Sequence, residues 1–372
     1  MRETAFIYDE SYFWHDNGNG ALFLQPGGWI EPYTHVENPD TKRRVKNLLD
    51  KSNMTAQLKN ISPKIATKEQ VELIHTPEYI HKVKELSATT GGDAGEFAIV
   101  GQGSYEIALL STGGAITGVD IVMQEKAKNT YVLTRPPGHH AEANYGVGFC
   151  LFNNVAVAAQ YAKEKYNLKK ILMIDWDVHH GNGTESAFYN DPEVLFFSIH
   201  QEYMNELPGR GYSHDIGSEK GEGFNINIPL PPGTSDAGYV HAFEKIIKPI
   251  ADEFKPELIL VSAGQDPSFY DPLGRMMMTA NGFYQLTMCV KDIAKKHCNS
   301  RLVVCHEGGY SAPYVPFCSL KIIEGLSNID SGVEDPFASS FAEFPINEVR
   351  DIEKEAINHI IELQSNYWNI TP

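Results

Sequence analysis

Residues 170–184 read KILMIDWDVHHGNGT, an apolar run that gives way abruptly to carboxylates and imidazoles. The first part, Lys170–Ile174, shows no alternation of polar and apolar side chains after its lysine. A short strand that is apolar on both faces is typical of the middle of a parallel sheet with helices on each side. We therefore predict a central strand here, with polar residues gathered at its carboxyl end.

The same arrangement repeats along the chain, with short apolar segments separated by amphipathic ones. Further strands are predicted at Ala5–Tyr8, Thr130–Leu133, Val194–Ile199, Phe224–Ile228, Leu258–Ser262 and Arg301–Cys305. Helices are predicted at Asp40–Lys51, Pro77–Ser87, Ser104–Gln124, Asn153–Tyr166, Asp236–Phe254, Ala280–His297 and Ile346–Tyr367. Alternation of strand and helix predicts an α/β fold, an open and mostly parallel sheet with helices on both faces.

The 372 residues are long enough to form a large core, and we predict one domain over residues 1–372. Residues 12–39, rich in Gly, Pro, Asn and aromatics, are a long N-terminal loop that we expect to form a rim or a subunit contact. The last predicted helix closes the chain. A formal net charge of −17 argues against a general nucleic-acid binder and suits cationic partners.

The location of the protein is predicted from three features of the sequence. The N-terminal segment MRETAFIYDE is charged and lacks the apolar region of a signal peptide. No apolar stretch approaches the roughly 18 residues needed to span a bilayer. The five cysteines contain no CxxC pair, which favours reduced thiols. We expect a cytoplasmic protein that does not associate with membranes.

Four predicted strands end in groups of reactive side chains. The segments that follow them are RPPGHH at 135–140, DWDVHHGNGT at 175–184, QD at 265–266 and HEGGY at 306–310. Ligands of open α/β sheets bind just beyond the carboxyl ends of the strands. We therefore expect these four segments to meet in one site.

Asp177 and His179 indicate a metal site. Residues two apart in an extended chain point to the same side, so a carboxylate and an imidazole can bind one ion. Asp266 arrives at the same edge from another strand. Three ligands with mixed nitrogen and oxygen donors leave a position open for water, which is the pattern of a catalytic rather than a structural zinc.

His139 and His140 are predicted to carry out acid–base chemistry, because two adjacent imidazoles lie in a tight loop opposite the metal ligands. Asp175 and Asn182 are predicted to form hydrogen bonds with the second ring nitrogen of these two histidines. Tyr310, which follows two glycines, is predicted to donate a hydrogen bond to a developing oxyanion. The sequence contains no P-loop, GxSxG or HExxH motif.

Together, RPPGHH, DWDVHHGNGT, AGQDPSFYDPLGRM and HEGGY, in this order, resemble the histone deacetylase superfamily. The resemblance is to class II members and their bacterial relatives, the histone deacetylase-like amidohydrolases and acetylpolyamine amidohydrolases. It runs from about Tyr8 to Ser327 and implies the arginase/deacetylase-like fold. It also implies a zinc-dependent deacetylase that removes acetyl or other small acyl groups from acyl-lysine side chains or related amines.

The resemblance assigns a role to each candidate residue. His140 would be the general base, His139 its electrostatic partner or the acid for the leaving amine, and Tyr310 the oxyanion donor. Asp175 would bond His139, and Asn182 would bond His140. The resemblance implies that one zinc ion is bound by Asp177, His179 and Asp266. It implies that Gly148 and Phe149 line the acyl-lysine tunnel. A structural potassium ion is expected at Asp175, Asp177, His179, Ser198 and Ile199.

Three positions depart from the family pattern. Gln265 stands where the family commonly has Phe, so the pocket near Asp266 is expected to differ. Leu207 stands where the second aromatic wall of the tunnel is common. Leu273 stands where a polyamine-selective member would place a carboxylate. Tyr310, by contrast, is the tyrosine of active members and not the histidine of weakly active ones.

Three alternatives stay open at this point. The chain is also compatible with an acetylpolyamine amidohydrolase, with a dimanganese ureohydrolase of the same fold, and with a non-catalytic acyl-lysine binder. The expected partners are an acylated lysine protein or an acetylated polyamine, and a second copy of the chain in a homo-oligomer.

Overall fold

A computed structural model describes residues 3–202 and 210–371 of the chain. Within these residues the central sheet contains eight strands: β1 (Thr4–Ile7), β2 (Lys59–Ile61), β3 (Asn129–Val132), β4 (Ile171–Asp175), β5 (Val194–Gln201), β6 (Asn225–Leu230), β7 (Leu258–Ala263) and β8 (Leu302–His306). All neighbouring strands are parallel. The predicted α/β class is confirmed, and the seven predicted strands are present with ends shifted by at most two residues.

The strands lie in the order β6-β5-β4-β7-β8-β3-β1-β2. From β4 the chain moves outward to β5 and β6, then returns to β7 and moves in the opposite direction to β8. Such a reversal leaves a crevice at the carboxyl ends of the two central strands, where α/β sheets bind their ligands. Here those strands are β4 and β7, and they carry two of the four predicted segments.

The α-helices of the described residues are α1 (Asp40–Lys51), α2 (Met54–Gln57), α3 (Lys68–Val71), α4 (Pro77–Ala88), α5 (Ser104–Met123), α6 (Asn154–Tyr166), α7 (Asn182–Phe188), α8 (Asp236–Ala242), α9 (Lys248–Phe254), α10 (Ala280–His297), α11 (Val315–Ser327) and α12 (Asp351–Gln364). Alternate residues of β4 belong to two different apolar clusters, Leu172 and Ile174 to one and Ile171 and Met173 to the other. Apolar groups therefore cover both faces of the sheet.

Several helices differ from the predicted boundaries. A π-helical turn at Phe243–Ile247 divides the helix that was predicted over Asp236–Phe254 into α8 and α9. Pro249 lies in the first turn of α9, where its missing N–H removes one helical hydrogen bond. The C-terminal helix α12 is shorter at both ends than the predicted Ile346–Tyr367. Strand β2 and the helices α2, α3, α7 and α11 were not predicted.

Helix α5 is long and apolar enough, by length and composition, to cross a membrane. The expectation that no segment of the chain reaches that length was therefore wrong for this helix. In the structure, 72% of its most apolar window is buried inside the protein. It packs against α6 and β3, and a helix that is apolar all round is typical of a buried core position.

Residues 12–39 contain little regular structure. Their short antiparallel pairing joins Asn19–Gly20 to Tyr33–Thr34. Three aromatic side chains of this segment are exposed, Trp14 (74%), Trp29 (104%) and Tyr33 (75%). Its role in assembly stays a prediction.

Candidate active site

The predicted metal ligands meet at the crevice between β4 and β7. Asp177 and His179 follow the end of β4, and Asp266 follows the end of β7. Their ligand atoms all lie within 4.8 Å of one another, and all three residues are buried. His179 Nδ1 lies 3.1 Å from Asp177 Oδ1 and 3.2 Å from Asp266 Oδ2. The donors therefore converge on one point.

The surroundings of this cluster fit a cation. Burial and the charge of Asp177 raise the pKa of Asp266 well above its ordinary value. Two buried carboxylates side by side are unfavourable unless a positive charge lies between them. Gly308, in the loop after β8, leaves space for the two carboxylates because it has no side chain. A Cβ at this position would lie 2.2 Å from Asp266 Oδ2 and 2.7 Å from Asp177 Oδ2. The residues present suit a divalent metal ion.

His139 is held by a carboxylate. Its Nδ1 lies 2.9 Å from Asp175 Oδ2, and its Nε2 lies 3.7 Å from Asp177 Oδ2. Burial alone would lower the pKa of His139, but the charges of Asp175 and Asp177 outweigh it and raise the pKa to about 10. The imidazole of His139 is therefore a cation at neutral pH in this environment.

His140 is held by an amide instead. Its Nδ1 lies 2.7 Å from Asn182 Oδ1, and its ring centroid is 3.9 Å from that of His139. Burial and the neighbouring imidazoles of His139 and His179 lower the pKa of His140 well below its ordinary value. These surroundings favour the neutral form of His140. Two adjacent groups with pKa values pushed apart are the arrangement of an acid–base pair.

Tyr310 stands opposite the histidines on the loop after β8. Its backbone N–H donates to Asp271 Oδ2 at 2.7 Å, and its ring meets that of Phe149 edge to face at 5.7 Å. Burial and the carboxylates of Asp266 and Asp177 raise the pKa of Tyr310 well above its ordinary value. The phenol therefore keeps its proton and can act as a hydrogen-bond donor.

A pocket of about 140 Å³ opens onto these groups. Its walls are Phe23, Phe97, His140, Gly148, Phe149, His179, Leu273 and Tyr310. The structure thus brings the predicted tunnel residues Gly148 and Phe149 together with Leu273. Leu207, the remaining predicted wall, lies outside the described residues.

The backbone at Gly148 explains why this position is a glycine. Its φ is +52°, and a Cβ there would lie 2.5 Å from His140 Cδ2. Phe149 also has a positive φ of 69°, and its N–H donates to the carbonyl of Phe97 at 3.0 Å. The hydrogen bond holds the aromatic wall in a conformation that phenylalanine rarely adopts.

The predicted potassium residues lie beside the metal cluster. Asp175 at the end of β4 is in register with Ser198 of β5, and Ile199 is the next residue of that strand. The Ser198 hydroxyl is within hydrogen-bond distance of His200 Nδ1, at 3.0 Å. No contact among the described residues tests whether these groups bind a monovalent ion, so potassium stays a prediction.

Sequence reasoning missed two aromatic walls of the pocket, Phe23 and Phe97. Their rings meet edge to face, with centroids 5.2 Å apart. Phe23 comes from the loop over residues 12–39, which was expected to form a rim or a subunit contact, but none of its residues was assigned to the pocket. A sequence pattern could not have indicated that these two distant residues share one pocket.

Sequence reasoning also missed a group of buried charges behind the site. Arg135 donates to both carboxylate oxygens of Glu37, at 2.8 Å and 3.0 Å, and Lys42 Nζ lies 3.6 Å from Glu37 Oε1. Lys42 Nζ is also 6.0 Å from the ring centroid of Tyr310. Glu307 accepts the Gly138 N–H at 2.6 Å, and burial raises its pKa to about 7. The available signal was the presence of Arg135 and Glu307 in two of the four segments that follow predicted strands.

Comparison with known proteins agrees with this geometry. A family model described as "Histone deacetylase domain" matches residues 35–326. A histone deacetylase-like amidohydrolase of Pseudomonas aeruginosa is 43% identical over 364 residues, covering 96% of this chain and 95% of the relative. Polyamine deacetylase HDAC10 of Danio rerio is 34% identical over 352 residues, covering 92% of this chain and 50% of that protein. The crystal structure of the HDA15 HD domain matches with a TM-score of 0.86 and 29% identity, over 99% of this chain and 95% of that one.

Proposed function

Since the chain belongs to the histone deacetylase family, we propose that it is a zinc-dependent amidohydrolase that removes acetyl or another small acyl group from acylated amines. The observation that carries the proposal is the pair of adjacent imidazoles, one held by the Asp175 carboxylate and one by the Asn182 amide, beside the metal-ligand cluster. The His140 imidazole and the Tyr310 phenol line the same apolar pocket.

Asp177, His179 and Asp266 are the residues expected to hold the metal ion. Two carboxylates and one imidazole are ligands that zinc accepts, and three protein ligands leave a position for water or substrate. When bound, zinc would polarise the acyl carbonyl and lower the pKa of the attacking water. The family resemblance further supports a structural potassium ion near Asp175 and Ser198.

The chain's own residues would divide the proton transfers. Nε2 of neutral His140 accepts a proton from the attacking water, whose oxygen forms the new bond to the acyl carbon. The Tyr310 hydroxyl donates to the carbonyl oxygen as negative charge develops on it. The C–N bond then breaks, and the departing amine takes a proton from the histidine pair. The products are a carboxylic acid and a free amine.

The pocket favours an uncharged acyl-amine stem. Phe149 and Leu273 are apolar walls, and no carboxylate is among the residues that line the described part of the pocket. Acyl-lysine is therefore the first candidate. An acetylated polyamine is the second, because a similar protein, of Danio rerio, is named a polyamine deacetylase.

The experiment is a hydrolysis panel of acetyl-lysine peptides, longer acyl-lysine peptides and acetylpolyamines, using zinc-loaded protein. We expect acetate release from the lysine peptides. His140→Ala should lower kcat by about two orders of magnitude or more, and Tyr310→Phe by about two. His359→Ala and Tyr367→Phe, on and just beyond α12, are matched controls that should keep full turnover.

The outcome also decides between the alternatives. Metal analysis should give one zinc per chain, whereas two manganese ions per chain would support a ureohydrolase. Tight binding of an acetyl-lysine peptide without acetate release would support a non-catalytic binder. Normal turnover in either His140→Ala or Tyr310→Phe would contradict the role proposed for that residue.

A further inference from the structure

Glu142 lies two residues after His140, on the far side of the amide that holds this histidine. It is 6% exposed, and its Oε1 accepts a hydrogen bond from Asn182 Nδ2 at 2.9 Å. Its backbone is fixed as well, because its N–H donates to the carbonyl of Tyr145 and its own carbonyl lies 2.9 Å from His75 Nδ1. The carboxylate is therefore held in place next to Asn182.

The hydrogen bonds of Asn182 admit one orientation of its amide. Nδ2 faces the carboxylate of Glu142 and, at 3.1 Å, the carbonyl oxygen of His140. An ionised carboxylate and a carbonyl only accept hydrogen bonds, so the NH₂ group must point toward them. Oδ1 then points toward His140 Nδ1, at 2.7 Å.

This orientation fixes the proton on His140. Asn182 Oδ1 is an acceptor, so the 2.7 Å contact is a hydrogen bond only if Nδ1 carries the hydrogen. In a neutral imidazole the other nitrogen, Nε2, then has the free lone pair. Nε2 is the nitrogen that a general base would need.

We infer that Glu142 is a positioning residue that sets the tautomer of His140 through the amide of Asn182. Its effect on turnover rests on the proposed deacetylation, whereas its effect on the tautomer does not. The Arg210 guanidinium lies 3.6 Å from Glu142 Oε1 and presents a positive charge to the carboxylate. An ionised Glu142 cannot donate, so it opposes any flip of the Asn182 amide.

The direct test is ¹⁵N NMR of histidine-labelled, zinc-loaded protein, with His140→Ala used to assign the signals. In the unaltered protein we expect His140 as the Nδ1–H tautomer. In Glu142→Gln the His140 carbonyl still accepts from Asn182 Nδ2, but the new amide can offer a donor as well as an acceptor. The His140 signals should therefore move part of the way toward a mixture of tautomers. Signals that coincide with those of the unaltered protein would overturn the inference, whatever the turnover of the variant.

Turnover gives a second readout. Loss of a hydrogen bond that orients a catalytic group typically costs about tenfold or more in activity, so we expect Glu142→Gln to lower kcat by about tenfold with little change in KM. Glu142→Asp keeps an acceptor and should recover part of the loss. Glu324→Gln is the control, because Glu324 is also a buried, ion-paired glutamate but lies on α11 and should keep full kcat.

A double variant separates this role from simple damage to the fold. Asn182→Asp alone places a second carboxylate against Glu142, so its kcat should fall. When Glu142→Gln is added to Asn182→Asp, the new amide can donate a hydrogen bond to the carboxylate introduced at position 182, so kcat should rise. In the protein that keeps Asn182, the same Glu142→Gln substitution should lower kcat. The same sign of effect in both backgrounds would overturn the inference. If the unaltered protein hydrolyses no acyl-amine, the proposed function fails, and the NMR measurement still decides the tautomer.

Discussion

Two adjacent histidines differ in charge because their second nitrogens face different groups. His139 faces the carboxylate of Asp175, which favours the cation, and His140 faces the amide of Asn182, which does not. Their rings are too close for both to be charged without strong repulsion. The choice of Asp or Asn as partner therefore divides the work between two otherwise identical side chains.

Gly148 offers a test of the site at the scale of one residue. Gly148→Ala would add a Cβ 2.5 Å from His140 Cδ2 at a φ of +52°. We expect the backbone strain to cost roughly 1–2 kcal/mol of unfolding free energy, and the displaced imidazole to lower kcat strongly. Urea unfolding and acetyl-lysine hydrolysis measure the two effects.

Gly332→Ala is the matched control for that variant. Gly332 also has a positive φ, +69°, but a Cβ there would meet no atom of the described residues within 4 Å. It should lose a similar amount of stability and keep its kcat. Equal kcat values for the two alanine variants would show that the contact with His140 does not matter.

At the scale of elements, a buried ion network joins the start of α1 to the loop after β3, which is 98 positions away from Glu37. Glu37 precedes α1, Lys42 lies in the first turn of α1, and Arg135 follows β3. The Arg135 guanidinium also donates to the carbonyls of Tyr12 and His15 in the N-terminal segment. The network therefore fixes the segment that carries Phe23 to the loop that carries His139.

Glu37→Gln tests this network through its pH dependence. Burial would raise the pKa of Glu37, but Arg135 and Lys42 outweigh it and lower the pKa to about 2 from an ordinary value of 4.5. The stabilisation is therefore present above about pH 4.5 and is lost as the pH falls toward 2. At neutral pH we expect the variant to be less stable by about 3 kcal/mol, because two cations lose their counter-charge.

Urea unfolding over a range from about pH 7 to about pH 3 measures this difference. The gap between the two proteins should narrow as the pH falls below 4.5. Glu72→Gln, which removes a partly exposed partner of Lys68 on the protein surface, should change stability by less than about 1 kcal/mol at any pH. A constant gap for Glu37→Gln would contradict the argument.

At the scale of the whole molecule, the pocket is assembled from six separate regions of the chain. The residues that line it include Phe23, Phe97, His140, His179, Leu273 and Tyr310, which are separated by up to 287 positions. The sheet brings the catalytic candidates together, and the N-terminal segment adds an aromatic wall from outside the sheet. We therefore expect substrate preference to depend in part on a segment that belongs to none of the strand ends.

Phe23→Ala tests that contribution. Loss of one aromatic wall should weaken binding by roughly 1 kcal/mol, so we expect KM for an acetyl-lysine peptide to rise about three- to tenfold with kcat nearly unchanged. Trp29→Ala, in the same segment but fully exposed and not part of the pocket, should leave KM unaltered. An unchanged KM in Phe23→Ala would remove the N-terminal segment from substrate binding.

The strands and their reactive ends were predictable because both are local properties. An apolar run without alternation indicates a strand that is buried on both faces of its sheet. Side chains two residues apart in an extended chain point to the same side of the strand. These two rules locate β4, β7 and the pair Asp177 and His179 without any knowledge of the fold. Strand β2 escaped prediction because its three residues are mainly polar and lie at the edge of the sheet.

The sequence by itself therefore determined the candidate side chains for the chemistry and that they stand at strand ends. Only the tertiary structure decided which strand ends are neighbours, so that Asp266 meets Asp177 from 89 positions away. It also decided that Phe23 closes the pocket, that Glu37 faces Arg135 and that Glu142 faces Asn182. The physical reason is that periodicity along a chain records whether a side chain is buried, whereas its partner, and with it its protonation state, depends on contacts between segments distant in sequence.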